Sequence, residues 1–256
     1  MDAHTDISKV YLERILKEIS DFICDERQKF ATRCEDRVSK KIKYLSEKND
    51  KGEILPVEID DNVGVCKNID PTIILILESP SKDEYDSSSA EMRPAPARGP
   101  TGRNINAYFI PLLKSDKEHG FDEWRIGLIN PIQYSCSFGG MLPTERKENI
   151  FNDLFCDSIK DDFVRRLNSM RRSKKYIVMN CCTKAGSSMI DNILESNSIP
   201  FIKMPHPSSR WFAVKCCVGE RRESRRGCKI DIVKSDKLRS CCDTLSIDIL
   251  KKMIAT

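Results

Sequence analysis

The sequence predicts an α/β fold: a three-layer sandwich in which helices cover both faces of a central, parallel-rich sheet. A strand is expected near 72–78, where five consecutive branched apolar residues are typical of burial on both faces. Apolar runs near 126–130, 175–180 and 200–204 indicate three more strands. Helical patterns separate these strands, and this alternation favours a parallel sheet covered on both sides. The helices are expected near 104–114, 145–170 and 184–195.

The N-terminal region predicts an added helical segment. Apolar residues recur at spacings of three and four within 5–49, which indicates an amphipathic helix and, after a break, a second helix. We therefore expect a helical extension over 1–60 and the α/β domain over 61–256. Residues 82–98 are expected to form a long loop, and 237–254 a closing helix.

The composition indicates a globular protein with reduced thiols. Of the 256 residues, 39% are hydrophobic, which supports an apolar core, and 32% are charged, which indicates a heavily solvated surface. No apolar run reaches the roughly 18 residues of a membrane span, and the N-terminus lacks the pattern of a secretory signal. Twelve cysteines then favour free thiols and a cytoplasmic location.

The positive charges are clustered, although the net charge is only +4. One cluster lies within 165–175 and a denser one within 221–226. Each is either a solvated surface or a set of phosphate contacts. The second cluster follows a histidine turn described below, and this position favours phosphate contacts there.

A carboxylate ends the first predicted strand. Glu78 follows the apolar run directly, and packing explains it poorly because an unpaired buried carboxylate is costly. The alternative is an ion pair at the end of the strand. Further along, the glycine-rich segment 99–102 opens a helix whose backbone N–H groups can face an anion.

A rigid turn follows the last predicted strand, which is expected to be buried. Only three histidines occur in the chain, and His206 lies between Pro205 and Pro207, which restrict the backbone around it. Polar turns at the carboxyl ends of strands are where α/β folds place their chemistry. The alternative is a plain connection between a strand and a loop.

Four motifs, in this order, resemble those of the uracil-DNA glycosylase superfamily. They are Glu78-Ser79-Pro80-Ser81, the glycine-rich loop 99–102, Leu128-Ile129-Asn130-Pro131 and His206-Pro207-Ser208, within a matched core of about 71–211. The pattern is most similar to the thermophile-type branch, which has a glutamate at the position of Glu78. The resemblance implies the superfamily's α/β sandwich and a monofunctional DNA glycosylase. Such a hydrolase cleaves the N-glycosidic bond of a flipped base and leaves an abasic site.

The resemblance also implies a role for each matched residue. Glu78 would activate water and offset positive charge on the sugar, and His206 would donate a hydrogen bond to the departing base. Asn130 would read a base edge with its amide; the alternative is an Asx-turn before Pro131. The other base-binding residues would be Ser79, Ser81, Pro100 and Thr101. The DNA-contacting residues would be Arg103, Ser208, Ser209, Arg210, Trp211, Arg221 and Arg222.

The position after the histidine turn is where the superfamily inserts a wedge into the duplex. Arg210 or Trp211 occupies it, and a large side chain there can fill the space left by a flipped base. The alternative for Trp211 is ordinary core packing beside Phe212.

Departures from the family patterns imply a wide base pocket. The classical branch has a tyrosine after the first-motif proline, where this chain has Ser81. The thermophile-type branch has an aromatic residue in its glycine-rich loop, where this chain has Pro100 and Thr101, and Leu77 replaces a motif glycine. We therefore expect the base to be uracil or a bulkier modified pyrimidine, released in DNA repair or in antiviral defence against phages.

The thermophile-type branch carries a four-iron cluster on four cysteines. Cys136 and Cys156 lie roughly where its later pair would be, but Cys24 and Cys34 are ten residues apart and do not form the close earlier pair. We therefore expect no cofactor and no metal. The expected partner is DNA, with no membrane, and the protein is expected to be a monomer.

Two other functions are open at this point. One is a nucleic-acid-binding module of the same fold, in which Glu78 is structural and no bond is cleaved. The other is a small-molecule α/β enzyme that binds a phosphate at the 99–104 loop.

Overall fold

The computed structural model of the chain describes seven stretches of the sequence. They are residues 32–46, 48–61, 70–85, 94–115, 120–136, 144–172 and 175–217. The first expected helix, Arg221 and Arg222, and the expected closing helix over 237–254 lie outside the described residues.

In the described part of the chain, five strands form one mixed sheet. They are β1 (Arg37–Val38), β2 (Thr72–Ile76), β3 (Arg125–Ile129), β4 (Tyr176–Asn180) and β5 (Ile202–Lys203), in the spatial order β1-β3-β2-β4-β5. The last four run parallel, and β1 is antiparallel to β3. The four strands that the apolar runs predict are present, and the expected parallel-rich sheet is confirmed.

Helices connect the parallel strands. The first, α1, is continuous and has three parts, Pro100–Asn104, a π-helical turn Ile105–Phe109, and Ile110–Ser115. The others are α2 (Thr144–Leu154), α3 (Asp157–Met170), α4 (Lys184–Ser196) and α5 (Arg210–Cys217). α1 joins β2 to β3, α2 and α3 join β3 to β4, α4 joins β4 to β5, and α5 follows β5.

The helix expected over 145–170 is interrupted once. The interruption falls at Cys156, whose extended backbone (φ −72°, ψ 172°) immediately precedes α3. Phe155 beside it is buried in the core, so apolar contact continues across the break.

The sheet lies between two layers of helices because the side chains of its strands alternate in direction. Ile73, Leu75 and Leu77 join one apolar cluster, which includes residues of α1 and α5. Ile74 and Ile76 join the other, which includes residues of α2, α3 and α4. All five side chains are buried, which explains the uninterrupted apolar run. The α/β fold is therefore confirmed.

The strand order creates a crevice at the carboxyl edge of the sheet. The chain leaves β2 toward β3 on one side, whereas it leaves β4 toward β5 on the other. Neighbouring strands whose connections diverge leave a crevice beyond their carboxyl ends, and open α/β sheets bind their ligands there. The crevice lies between β2 and β4, where Ile76 pairs directly with Asn180.

Part of the expected N-terminal helical extension is a strand instead. Within 32–46 the chain forms β1 and a short 3-10 helix, Ile42–Tyr44, rather than a second helix. The buried residues Cys34, Asp36 and Val38 alternate with more exposed ones, which is the period of a strand. β1 thereby supplies hydrogen-bond partners to the outer edge of β3.

The last strand is shorter and less buried than its sequence predicts. Only Ile202 and Lys203 pair with β4, at the end of the sheet. Lys203 is exposed and forms an ion pair with Asp191 of α4 (Nζ–Oδ2 2.5 Å). An edge strand has a single neighbour and needs less apolar surface, so the expectation of a buried strand at 200–204 is wrong.

A buried glutamate joins the two described ends of the expected 82–98 loop. The Glu84 carboxylate, in a residue only 3% exposed, accepts the backbone N–H groups of Ser81 and of Ala97, the latter at 2.8 Å. Burial raises the pKa of this carboxyl to about 7. Gly102 lies against Ala97, where a Cβ would stand 1.7 Å from the carbonyl oxygen. These contacts bring the start of α1 close to the end of β2.

Candidate active site

Glu78 lies at the crevice between β2 and β4. The residue is half-buried and stands two positions beyond the end of β2. Its Oε2 accepts the backbone N–H of Thr183 (2.8 Å) and also the Thr183 hydroxyl. Burial raises the pKa of the Glu78 carboxyl, and these two hydrogen bonds oppose the rise. Among the described residues both donors to Glu78 belong to Thr183 and not to a cation, which argues against the ion-pair alternative.

Asn130 lies directly after β3, at the same edge of the sheet. The residue is 1% exposed, yet neither Nδ2 nor Oδ1 has a hydrogen-bond partner among the described residues. An Asx-turn would use Oδ1 as an acceptor, so that alternative is wrong. The Ile132 N–H bonds instead to the Glu78 carbonyl (3.5 Å). Burying a polar amide without a hydrogen-bond partner costs about 1–3 kcal/mol.

A buried ion network holds the backbone of Asn130. Arg166 of α3 donates to the carbonyls of Asn130 and Pro131, at 3.1 Å each. Its other N–H groups bond to the carboxylates of Asp36 and Asp162 at 2.6 to 2.8 Å. A buried ion pair is well stabilised when hydrogen bonds satisfy both partners, as they do here. Arg166 is therefore an internal group, although it belongs to the first basic cluster of the sequence.

Three other arginines of the first basic cluster lie away from the crevice. Arg165 and Arg172 are exposed and line an open groove of about 510 Å³ together with Asn197, which follows α4. Arg171 stacks on the Tyr176 ring, 4.6 Å from its centre. The groove lies near the amino end of β4, so these charges are not placed to hold a ligand in the crevice.

His206 lies in the turn after β5, and its ring is held in one tautomer. Nδ1 lies 2.8 Å from Ser208 Oγ and accepts the Ser208 N–H (3.3 Å). Since a backbone N–H can only donate, the ring proton belongs on Nε2. Desolvation of the half-buried residue lowers the pKa of His206 to about 4. The imidazole is therefore neutral at neutral pH and offers one N–H donor.

The histidine turn is fixed to two neighbouring elements. Asn104 of α1 donates a side-chain hydrogen bond to the Pro207 carbonyl (2.8 Å). The Met204 N–H bonds to the carbonyl of Asn180, the last residue of β4 (2.9 Å). The turn, α1 and the end of β4 therefore hold a fixed arrangement at the carboxyl edge of the sheet.

The other predicted base-binding residues follow β2 or begin α1. Ser79 is half-buried, and its Oγ accepts the Cys136 N–H (3.3 Å), which ties the chain after β2 to the chain after β3. Ser81 is half-buried, and its backbone N–H forms the contact with the buried glutamate described above. Thr101 is buried, whereas Pro100 is exposed.

The predicted DNA-contacting residues near the histidine turn lie at the surface. Trp211 is 40% exposed, and the Arg210 guanidinium stands 5.0 Å from the centre of its indole ring. Phe212 is fully buried and fills the core position, so the core-packing alternative for Trp211 is wrong. The half-buried Ser209 accepts the Trp211 N–H through Oγ (3.1 Å). The exposed residues of this set also include Arg103, Ser208 and Arg210.

The two cysteines that half match the iron–sulfur pattern have different surroundings. Cys136 is buried, and its thiol donates to the Tyr134 carbonyl (3.7 Å). Cys156 is exposed, and its sulfur lies 3.2 Å from Ser158 Oγ. Each thiol therefore has a local contact of its own.

One residue of the site, Thr183, carries no sequence motif. It lies three positions beyond the end of β4 and directly before α4. A threonine at this place normally indicates a helix cap. Its position after a parallel strand, which it shares with Glu78 and Asn130, is the feature of the sequence that could have indicated it.

His206 gives the folded state an expected pH dependence. Its pKa is about 4 in the folded state and near 6.5 in the unfolded chain, so only the unfolded chain takes up a proton between these values. The stability that the neutral ring contributes is complete above pH 6.5 and is lost as the pH falls toward 4. We expect His206→Asn to flatten this part of the pH dependence of the free energy of unfolding, measured with urea. If the free energy of unfolding changed with pH in the same way in variant and parent, the lowered pKa of His206 would be contradicted.

Within the described stretches, no helix has both the length and the apolar composition to cross a membrane. Compared with known proteins, the chain matches no family model, no curated protein and no solved structure. Its function is therefore inferred from the three groups at the carboxyl edge of the sheet. These are the Glu78 carboxylate, the Asn130 amide, which has no partner among the residues that the structure describes, and the neutral His206 imidazole.

Proposed function

We propose that the chain is a monofunctional DNA glycosylase that hydrolyses the N-glycosidic bond of a flipped uracil or bulkier modified pyrimidine and leaves an abasic site. The observation that carries the proposal is the buried amide of Asn130, which lacks a partner within the described ranges and lies at the same edge of the sheet as Glu78 and His206. An amide offers one donor and one acceptor side by side, which suits a base edge. The parallel-rich α/β sandwich agrees with the fold that the motif resemblance implies.

Glu78 acts on the water in this proposal. The water oxygen bonds to the anomeric carbon of the sugar, while the bond from that carbon to the base nitrogen breaks and its electron pair leaves with the base. One water proton passes to the ionised Glu78 carboxylate. The same negative charge offsets the positive charge that develops on the sugar. The departing base takes up a proton from solvent.

His206 acts on the base. Negative charge accumulates on the base oxygen as the bond breaks, so a fixed N–H donor there stabilises the transition state more than the ground state. Because Nδ1 is held as an acceptor by the Ser208 N–H, the donor is Nε2–H. The pKa of about 4 keeps the ring neutral, so His206 acts by hydrogen bonding and not by proton transfer.

The exposed side chains near the turn are suited to hold DNA. Arg103 and Arg210 can neutralise phosphates, whereas the one hydroxyl proton of Ser208 is held by His206 Nδ1. Trp211 exposes part of its indole beside them, and a large flat side chain can fill the gap that a flipped base leaves. Phosphate contacts of this kind make binding weaken steeply with salt.

The proposal is tested by mass spectrometry of the bases released from three DNAs: uracil-containing, unmodified and hypermodified phage DNA. The parent protein and Glu78→Gln are compared on each. We expect the parent to release one pyrimidine and to leave alkali-labile sites. Salt-sensitive binding without a released base would favour the non-catalytic nucleic-acid module. Phosphate binding without DNA binding would favour the small-molecule enzyme.

Ser81 provides a test of pocket size. Ser81 contacts Glu84 through its backbone N–H and through its hydroxyl, so a larger side chain keeps the first contact and loses the second. We expect Ser81→Tyr to slow release of a large 5-substituted pyrimidine about ten-fold more than release of uracil, because the ring overlaps the substituent. Both rates are timed on matched oligonucleotides.

Ser81→Ala is the control for this substitution, because it removes the hydroxyl without adding bulk. We expect it to treat the two bases as the parent does. Equal slowing of both bases by the tyrosine would show general damage to the site and would contradict the wide pocket. The wide pocket would also be contradicted if the parent released uracil but acted on no bulky base.

A further inference from the structure

The hydrogen bonds to Glu78 come from an unusual start of a helix. Thr183 is the N-cap of α4, a helix of 13 residues, and its backbone is extended (φ −75°, ψ −179°). A threonine hydroxyl at this position ordinarily accepts an N–H of its own helix. Here the described helix receives no such side-chain cap, and the hydroxyl donates to Glu78 Oε2. The Thr183 hydroxyl therefore forms its hydrogen bond with the Glu78 carboxylate and does not cap its own helix.

Two donors on one oxygen give the Glu78 carboxylate a defined orientation. The Thr183 N–H and hydroxyl both bond to Oε2, and within the described residues no donor reaches Oε1. Rotation of the carboxylate would break both bonds at once. Oε2 is therefore the fixed oxygen, and Oε1 is the one that can take a proton from water.

The groups that face Glu78 come from three parts of the fold. Burial is the largest influence on its pKa and raises it, and the strongest opposing influence is the pair of Thr183 hydrogen bonds. On α2, Lys147 lowers this pKa and Glu148 raises it. Cys136 after β3 and Cys182 after β4 are buried thiols whose own pKa values are raised by burial, so they face Glu78 as neutral groups.

We propose that Thr183 is a positioning residue for the hydrolysis: its hydroxyl orients Glu78 through Oε2 and stabilises the ionised carboxylate that accepts a proton from water. This inference rests on the glycosylase function proposed above. Without the hydroxyl, the carboxylate is held by a single hydrogen bond and can rotate. Burial is then opposed less, so the pKa of Glu78 rises and fewer molecules carry a competent base at a given pH.

Thr183→Val tests this role, because valine keeps the shape of threonine and the backbone N–H but lacks the hydroxyl. Thr183 is exposed, so we expect the thermal unfolding of the variant to match that of the parent. We expect kcat to fall roughly ten-fold or more, the size of one lost hydrogen bond to a charged group. We also expect the acidic limb of the pH–rate profile to move to higher pH. Thr183→Ser keeps the hydroxyl, so we expect it to have the kcat and the acidic limb of the parent.

A second measurement does not depend on activity. The Glu78 carboxyl carbon is titrated by NMR in the parent and in both variants. We expect a higher pKa in Thr183→Val and a parent-like pKa in Thr183→Ser. An unchanged pKa in Thr183→Val would overturn the role of Thr183, whether or not the protein releases a base. If the pKa of Glu78 rises in Thr183→Val but the parent protein releases no base, the Thr183–Glu78 contact is supported and the proposed hydrolysis is contradicted. If Thr183→Val lost the same fraction of activity at every pH, Thr183 would have only a structural role.

Discussion

Glu78→Gln is expected to lower the rate of base release by about 10²–10⁴ and to leave DNA binding near that of the parent. Glutamine has the shape of glutamate, and its amide oxygen can still accept the two hydrogen bonds from Thr183. The variant loses the negative charge and the ability to take a proton from water. The measurement is single-turnover excision with protein in excess, together with fluorescence anisotropy on the same oligonucleotide.

Glu123→Gln is the matched control, since it makes the same chemical change far from the crevice. Glu123 precedes β3, at the opposite edge of the sheet, and forms exposed ion pairs with Lys41 and Lys43. Exposed pairs contribute little to stability, so we expect this variant to excise at the parent rate. A folded Glu78→Gln protein with full single-turnover excision would show that Glu78 is not catalytic.

His206→Ala is expected to slow the chemical step by roughly 10²-fold, the usual effect of removing one hydrogen bond that forms in the transition state. The neutral ring donates from Nε2, and alanine supplies no replacement donor. The loss should be smaller for 5-fluorouracil, because a better leaving group depends less on stabilisation of its negative charge. Single-turnover rates on the two bases measure this difference.

His206→Gln is the companion variant, because its side chain retains an N–H donor. We expect it to recover part of the rate that alanine loses. An unchanged rate with weaker DNA binding in His206→Ala would move this residue to a phosphate-contact role. Equal losses on uracil and 5-fluorouracil would also contradict stabilisation of the departing base.

The central strands are predictable from sequence, whereas the edge strands are not. β2 needs an apolar side chain at every position because both of its faces are buried, and its sequence shows this directly. β1 contains only Arg37 and Val38, and it forms because the edge of β3 offers unpaired backbone groups. Such a partner lies far along the chain, so no local pattern indicates it.

The site, like the sheet, is predictable from the sequence only in part. Glu78, Asn130 and His206 each follow a predicted strand, and parallel strands bring such positions to one edge of the sheet. The role of Thr183 depends on β4 being the neighbour of β2, which no local pattern specifies. Across the described stretches the Asn130 amide lacks a hydrogen-bond partner, and this depends on all of its surroundings, so only the folded structure can reveal it.

The Asn130 amide, which has no hydrogen-bond partner in the described part of the chain, makes this protein less stable than its packing would allow. A leucine of similar volume would remove an unsatisfied buried group and a penalty of about 1–3 kcal/mol. Selection for stability alone would favour the leucine, and in the proposed function the asparagine gives up this stability for recognition of a base edge. Arg166 holds the backbone on which the amide stands, which limits any relaxation that could hide it. In the proposed function, a bound base supplies the missing hydrogen-bond partners to this amide and removes the penalty.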